Sequence, residues 1–465
     1  MGESIVLRAV TVVDTRDGSL APGRDVTVSG GRITAIAPTG PAGAGTAEAG
    51  GRYLIPGLCD MHAHPLNGGD DLAGSLALML ANGVTGFRQM AGTTDLLRRR
   101  RAGDMGLPAD APAPLALPGE ILTPANAATP EAAVATVRAQ QAEGADFVKV
   151  GFVTPDVLYA VLAEGRRLGV PIAGHLPSGV DVRAASRGGM RAIEHLGPGS
   201  GILAGCSPEE ADIIASLASG PLPAFPADPA QMAGFLKALV VNPCLASGPA
   251  AAAGLRRSID TFSEERATEL AERFAADGTW QVPTLIRSRT SKLADAPEYA
   301  ADPNLRYIPG PTLADWRAAT ARFAALPAGT RAAERDAFAL MLRLTRLFDD
   351  AGVRMLAGSD ASGAGWEVPG FALHQEFDLL TEAGLPPLRV LQMATLDAAE
   401  FLGTTATMGT VEEGKDADLV LLGANPVENT EALHDVRAVV RAGRYYDRGD
   451  LDALTERVAA RNSAG

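Results

Sequence analysis

At 465 residues the chain has room for one large barrel with a smaller companion, or for two to four ordinary domains. Its 41 basic and 55 acidic residues leave a formal charge of −14, a field that repels phosphate backbones and excludes nucleic acid as an expected partner. With 46% hydrophobic and 21% charged residues it is composed like a globular protein, and no run of about 18 apolar residues offers a membrane span.

Residues 4–55 alternate short apolar runs (5–7, 10–13, 25–28) with Asp-Gly, Pro-Gly and Gly-Gly turns, which predicts a small antiparallel β unit. The pattern returns at 410–411, 417–422 and 436–444, so residues 1–55 and 406–465 are expected to form one composite β-sheet domain. Between them, in 56–405, apolar runs predict strands at Leu58–His64, Val84–Met90, Leu115–Ile121, Phe147–Phe152, Pro171–Leu176, Ala192–Leu196, Trp280–Ile286 and Val353–Asp360. Helices are predicted between them at Leu72–Ala81, Pro130–Glu143, Pro155–Leu168, Val182–Arg187 and Phe262–Ala276. Eight strands in βα order make the fold class α/β, a closed (β/α)8 TIM barrel with its chemistry at the C-terminal strand ends. Residues 197–352 exceed what two repeats need and predict an insertion with helices at Pro208–Ala218, Gln231–Val240, Thr312–Ala324 and Arg331–Asp350. This insertion can act as a lid over the mouth or lie at the periphery, where it could join copies into a homo-oligomer.

The strongest local motif is Pro56-Gly-Leu-Cys-Asp-Met-His-Ala-His-Pro65, in which His62 and His64, two apart on a strand, put two imidazoles side by side where Pro65 stops the ladder. Two neutral rings facing one point are hard to satisfy unless a cation lies between them. His175 and His195 end predicted strands in the same way, so four of the six histidines gather where a barrel places its active site. Asp360, in Gly358-Ser-Asp, ends the last strand before a Gly-rich loop, as a ligand or as a cap for the next helix. Lys149 sits in Phe147-Val-Lys-Val-Gly-Phe with no acid beside it, where a free ammonium carries a large desolvation cost. A buried lysine of lowered pKa can instead react with CO2 and become a carbamate, an anionic oxygen ligand able to bridge two metal ions; reaching solvent or a carboxylate is the alternative.

With these motifs the chain resembles the amidohydrolase superfamily, specifically its imidazolonepropionase-like and Xaa-Pro-dipeptidase-like metal hydrolases. The resemblance runs from Tyr53-Leu-Ile-Pro-Gly through Gly174-His-Leu-Pro, Ile193-Glu-His-Leu and Gly358-Ser-Asp to Met408-Gly-Thr-Val-Glu-Glu-Gly-Lys-Asp-Ala-Asp-Leu. It implies that His62, His64 and Asp360 bind a buried metal ion, that His175 and His195 bind a more exposed one, and that carboxylated Lys149 bridges the two. It further implies two divalent ions, for which zinc suits the ligands and Mn, Co or Fe would also fit. The implied reaction is attack by a metal-bridged hydroxide on an amide or peptide-like C–N bond of a small-molecule substrate, a dipeptide or N-acyl amino acid. Asp360 would then be the catalytic proton acceptor. A mononuclear cyclic amide or ester hydrolase and a non-catalytic barrel relative are the rival readings. Lys149 disfavours the first and the intact ligand set the second.

Other features are weighed as ordinary. Family members often carry Arg-Asp after the second strand, whereas this chain reads Arg88-Gln89. His374, on an expected helix after the last strand, is read as packing in preference to a pocket residue, and His434 is given no chemistry. Arg98–Arg101 spread around a helix axis and read as a solvated face. Tyr307, Trp316 and Trp366 could line a cavity under the insertion but more often such residues pack. Cys59, Cys206 and Cys244 follow no disulfide or zinc spacing, and the first residues show no leader pattern, so a cytoplasmic protein with reduced thiols is expected.

Overall fold

The computed structural model describes residues 4–43, 45–67, 71–197, 201–219 and 228–463. Stretches of the expected sheet domain (1–3, 44, 464–465) and of the insertion (198–200, 220–227) lie outside them. Strands from both ends of the chain share one eight-stranded sheet, in the order Arg444–Asp447, Val436–Arg441, Leu419–Leu422, Tyr53–Pro56, Ile5–Val13, Leu20–Ser29, Arg32–Pro38, with Thr46–Glu48 also paired to Ile5–Val13. The pairing is not purely antiparallel as the turns predicted, because Tyr53–Pro56 and Thr46–Glu48 run parallel to Ile5–Val13. Leu7, Val10, Val26, Ile33, Leu419 and Leu421 fill a separate apolar cluster on this sheet. The last 16-residue element, Arg448–Ser463, is a helix where β structure was expected. Its Val458 and Ala459 join Leu78, Tyr307 and Trp316 in one apolar cluster, and Arg461 pairs with Asp71, so tertiary burial decides its state.

The middle of the chain is mixed α/β, with two curled parallel sheets. One holds Leu58–Ala63, Val84–Gln89 and Ala113–Ala116; the other holds Val148–Val150, Ile172–Gly174, Met190–Glu194 and Trp280–Val282. The expected last strand, Val353–Asp360, is not a regular strand. It is an extended run that bonds alternately to both sheets: Gln281 N–H donates to Arg354 O and Leu356 N–H to Gln281 O, while Met61 N–H donates to Ala357 O. At the other gap Leu122 N–H donates to Lys149 O and Gly151 N–H to Leu122 O. Cys59, Met90, Ala116, Phe147, Ala173, Ala192, Trp280 and Leu356 meet in one cluster among these segments.

Two expected strands are shorter than predicted because proline ends them. Pro118 follows Ala113–Ala116, and Pro283 closes Trp280–Val282, after which the chain turns into the helix Leu285–Lys292. The helices Leu72–Ala81, Pro155–Leu168 and Val182–Arg187 lie where periodicity predicts them, and Asp181 caps the last by accepting from the N–H groups of Arg183 and Ala184. The insertion holds Glu210–Ser219, Pro229–Val241, Gly310–Ala324 and Ala328–Asp350, close to expectation, and also Pro249–Asp260, which its Ala-rich sequence had hidden. Among the described residues no helix is long and apolar enough to cross a membrane.

Candidate metal centre

The C-terminal ends of the parallel segments bring His62, His64, Lys149, His175, His195 and Asp360 into one neighbourhood. Ring centroids lie 5.5 Å apart for His62 and His64, 4.6 Å for His62 and His195, and 5.2 Å for His175 and His195. The tightest group is His62, His64 and Asp360, whose ligand atoms all lie within 4.8 Å of one another. Nε2 of both rings is 3.0 Å from the same Asp360 Oδ1.

The tautomers follow from the partners. Nδ1 of His62 is 2.7 Å from Glu194 Oε2, and Arg88 Nη2 donates to both Glu194 oxygens at 2.8 and 3.0 Å. Burial alone would raise the Glu194 carboxyl, but Arg88 first and His62 second outweigh it and hold the pKa at about 2, so Glu194 is an acceptor. Nδ1 of His62 therefore donates to Glu194, which leaves Nε2 as the ring atom turned to Asp360. That Nε2 is buried and has no hydrogen-bond partner, although a carboxylate oxygen is 3.0 Å away. With both rings neutral, these two nitrogens and the carboxylate oxygen would offer one cation three donor atoms. His195 is set the same way: its Nδ1 donates to Thr284 Oγ1 at 2.5 Å while Thr284 donates to Pro283 O at 2.8 Å. Burial pushes His64, His175 and His195 below the ordinary histidine value, so these rings are neutral.

Lys149 is 2% exposed and its Nζ has no hydrogen-bond partner. Burial pulls its pKa down to about 8 against the opposing charges of Glu194 and Asp360, which leaves about a tenth of it as free amine at pH 7. Asp360 is positioned by its neighbours: Asp60 accepts from Ser359 N–H at 3.0 Å, Ser359 Oγ at 2.6 Å and His62 N–H at 3.2 Å, stitching the first strand to the last segment. Three residues at these chain ends, His195, Thr284 and Asp360, hold positive φ of 60°, 42° and 68°, which costs a non-glycine residue about 1 kcal/mol or more each. Such strain concentrates where side-chain aim matters.

Several functional residues escaped the sequence reading. Glu194 lies inside an apolar run one residue before His195, and Arg88 was noted only for its neighbour. Gln89, standing where an acid is usual, donates to Asn67 Oδ1 at 2.5 Å and Ala91 O at 2.7 Å, and so orders the loop after His64. Arg287, with Nε 3.0 Å from Asp360 Oδ2, lies in the insertion, where no pattern announced it. His374 does not join the cluster; its Nε2 donates to Asn82 O at 2.8 Å, at the opposite end of the strands. Tyr307, Trp316 and Trp366 are buried in a common apolar cluster, with Trp366 bonded to Thr320, and pack as ordinary core residues. Arg98 and Arg101 pair with Glu143 on the surface.

Residues 322–445 match the family model described as the amidohydrolase family. Over its whole length the chain is similar to the solved bottromycin amidohydrolase, with a TM-score of 0.70 at 24% identity, covering 99% of this chain and 90% of that one. It is also similar to a Xaa-Pro dipeptidase solved with bound methionine, with a TM-score of 0.61 at 17% identity, covering 96% and 100%. Curated relatives match over short stretches. An adenine deaminase of Mesorhizobium japonicum is 40% identical over 68 residues, 14% of this chain and 11% of the relative. The imidazolonepropionase of Thermoplasma volcanium is 37% identical over 78 residues, 17% and 19%. The matched stretch thus spans less than a fifth of either relative.

Proposed function

From a chain whose fold and C-terminal segment are those of the amidohydrolases, we propose a metal-dependent hydrolase that cleaves an amide or peptide-like C–N bond in a dipeptide or N-acyl amino acid. The scaffold is read as a closed (β/α)8 barrel, 56–405, beside a composite sheet domain, 1–55 plus 406–465. The backbone bonds at both gaps between the parallel sheets, and the cluster with one or two residues from each segment, support that reading.

The observation that carries the function is the convergence of His62 Nε2 and His64 Nε2 on Asp360 Oδ1, each 3.0 Å away, with the buried His62 Nε2 left without a hydrogen-bond partner. The residues fit two divalent cations, zinc being the best match to nitrogen and carboxylate donors. His62, His64 and Asp360 would hold one, His175 and His195 the other, and a carbamate on Lys149 would serve both. The amine of Lys149 attacks CO2, forming one N–C bond and releasing one proton. The bound ions would supply Lewis acidity and lower the pKa of water from 15.7 towards about 7.

The chain's own groups do the rest. Glu194 and Thr284 hold the Nδ1 protons of His62 and His195, so both rings keep Nε2 turned to the centre. Asp360 accepts a proton from the attacking water and delivers it to the leaving nitrogen. Asp60 and Ser359 fix the segment that aims it.

Metal analysis of the purified protein, joined to a hydrolysis panel of dipeptides, N-acyl amino acids, lactams and aryl esters, tests the reading. About two ions per chain and turnover of the first two classes are expected. One ion with lactam or ester turnover favours the mononuclear alternative, and no ion favours a non-catalytic relative. Adenine belongs in the same panel, since the short deaminase match concerns another C–N hydrolysis.

A further inference from the structure

Asp360 is held from a second side. Arg287, 7% exposed and in the first turn of Leu285–Lys292, places Nε 3.0 Å from Asp360 Oδ2. The terminal nitrogens of the same guanidinium donate to the last carbonyls of the insertion helix Pro229–Val241: Nη1 to Val241 O at 3.2 Å, Nη2 to Leu239 O at 3.3 Å and to Val240 O at 2.6 Å. Those carbonyls carry the negative end of the helix dipole and lack partners within the helix, so one buried cation satisfies a helix terminus and a carboxylate together. Gly365 N–H donates to Val241 O at 3.0 Å, so the loop after Asp360 is attached to the same terminus. The helix is anchored in turn, Lys237 to Asp315 at 2.5 Å and Asn242 Nδ2 to Ser291 O at 3.0 Å. The guanidinium fork meets the carboxylate with Nε and the carbonyls with its terminal nitrogens, a spread of donor atoms that the single nitrogen of an ammonium does not offer. Two further buried acids lie nearby: Glu367 accepts from Thr290 Oγ1 at 2.9 Å and Glu376 from Ile286 N–H at 2.8 Å, and burial raises both above the ordinary carboxyl value.

We propose that Arg287 is a positioning residue that ties Asp360 to the end of the insertion helix, which makes the insertion part of the catalytic architecture and not a peripheral decoration. The proposal rests on Asp360 being the proton acceptor, as read above. With Oδ2 tied, the carboxylate cannot rotate, and Oδ1 stays turned to His62 and His64. A residue at φ 68° also needs such external bonds to stay where it is.

The test uses the metal-loaded, full-length protein and the Arg287→Ala variant, read by amide hydrogen exchange and by kinetics on the fastest substrate of the panel. Exchange is expected to speed up by about tenfold or more in 237–241 and 361–366 and to stay unchanged elsewhere. A kcat loss of about 100-fold with KM within about threefold and metal content unchanged is expected beside it. Methylguanidinium added to Arg287→Ala should restore part of both signals, and Arg287→Lys should recover little. Should Arg287→Ala fail to fold, Arg287→Lys carries the same comparison. Unchanged exchange at 361–366, a rise spread over the whole chain, or a kcat loss untouched by methylguanidinium overturns the proposal. If the wild type turns over no substrate, the hydrolase reading fails, while the exchange measurement still decides whether the tie exists.

Discussion

Lys149 and Lys292 are buried alike, 2% and 6% exposed, in a chain with only four lysines. Lys292, on the insertion helix Leu285–Lys292, donates to Glu334 Oε2 at 2.7 Å. Burial would depress its pKa, but the Glu334 charge reverses that and holds it above the ordinary lysine value, so it stays an ammonium. Lys149 has no such partner, and burial brings it to about 8. A fold pairs a cation it keeps for stability; a lysine left unpaired among neutral histidines is kept for what its free amine can do. Exposure alone would not have separated the two.

The comparison breaks most sharply at Lys149. Lys149→Met is expected to fold at least as well as wild type, because an unpaired buried ammonium is replaced by an apolar chain of similar length. It should lose turnover by at least about 1,000-fold, roughly 4 kcal/mol of barrier, with metal content falling from about two ions per chain to one or fewer. Retained activity and metal would remove the bridging role. Lys292→Met should do the reverse. Turnover per folded molecule stays near wild type, while urea unfolding shows a loss of about 3–5 kcal/mol from the stranded Glu334 carboxylate. Most of that loss should return in the double variant Lys292→Met, Glu334→Leu, which leaves no buried charge behind.

The residues proposed as ligands were legible because they stand where a strand meets Pro or Gly: His62 and His64 before Pro65, His175 before Leu-Pro, His195 before Leu-Gly, Asp360 before a Gly-rich loop. Period and punctuation together mark such positions. What supports them was not legible. Glu194 reads as a stray acid in an apolar strand, and its role appears only when Arg88, 106 residues away along the chain, is brought to 2.8 Å. Arg287 sits in a helix that a proline-terminated strand turns into, so its direction depends on where Pro283 stops the ladder. The segment 353–360 was found as an apolar run, but its bonds alternate between two sheets, a tertiary property no local pattern carries. The C-terminal helix Arg448–Ser463 follows a strand directly, and its burial against Leu78 and Trp316 could not be read from its charged sequence.

Two buried glutamates extend the comparison to acids. Glu376 accepts one bond, from Ile286 N–H at 2.8 Å, and its other oxygen has no partner. Burial therefore raises it to about 8, and it is a neutral acid at pH 7. Between the unfolded value of about 4.5 and the folded value of about 8, the folded state keeps a proton that the unfolded state has lost. Stability contributed by this group is thus present at low pH and is lost as pH rises through that window, on the order of 5 kcal/mol in all. Glu376→Gln should flatten that part of the stability curve in chemical denaturation; an unchanged slope would show that the carboxyl is ionised and paired in solution.

Glu194 is the opposite case, ionised because Arg88 and His62 hold it so, and its replacement sets the smallest effect. Glu194→Gln keeps shape and one acceptor oxygen but removes the charge that fixes the His62 proton on Nδ1. The ring then samples the tautomer with Nε2–H turned towards Asp360, which blocks the lone pair a cation needs. Metal affinity and turnover should each fall by about 10- to 100-fold, the range for an outer partner of a metal-binding histidine. The loss must show as metal dissociation at lower chelator concentration, with excess metal recovering most of the rate. A variant that binds metal as tightly as wild type would mean that the His62 tautomer is set by something other than Glu194.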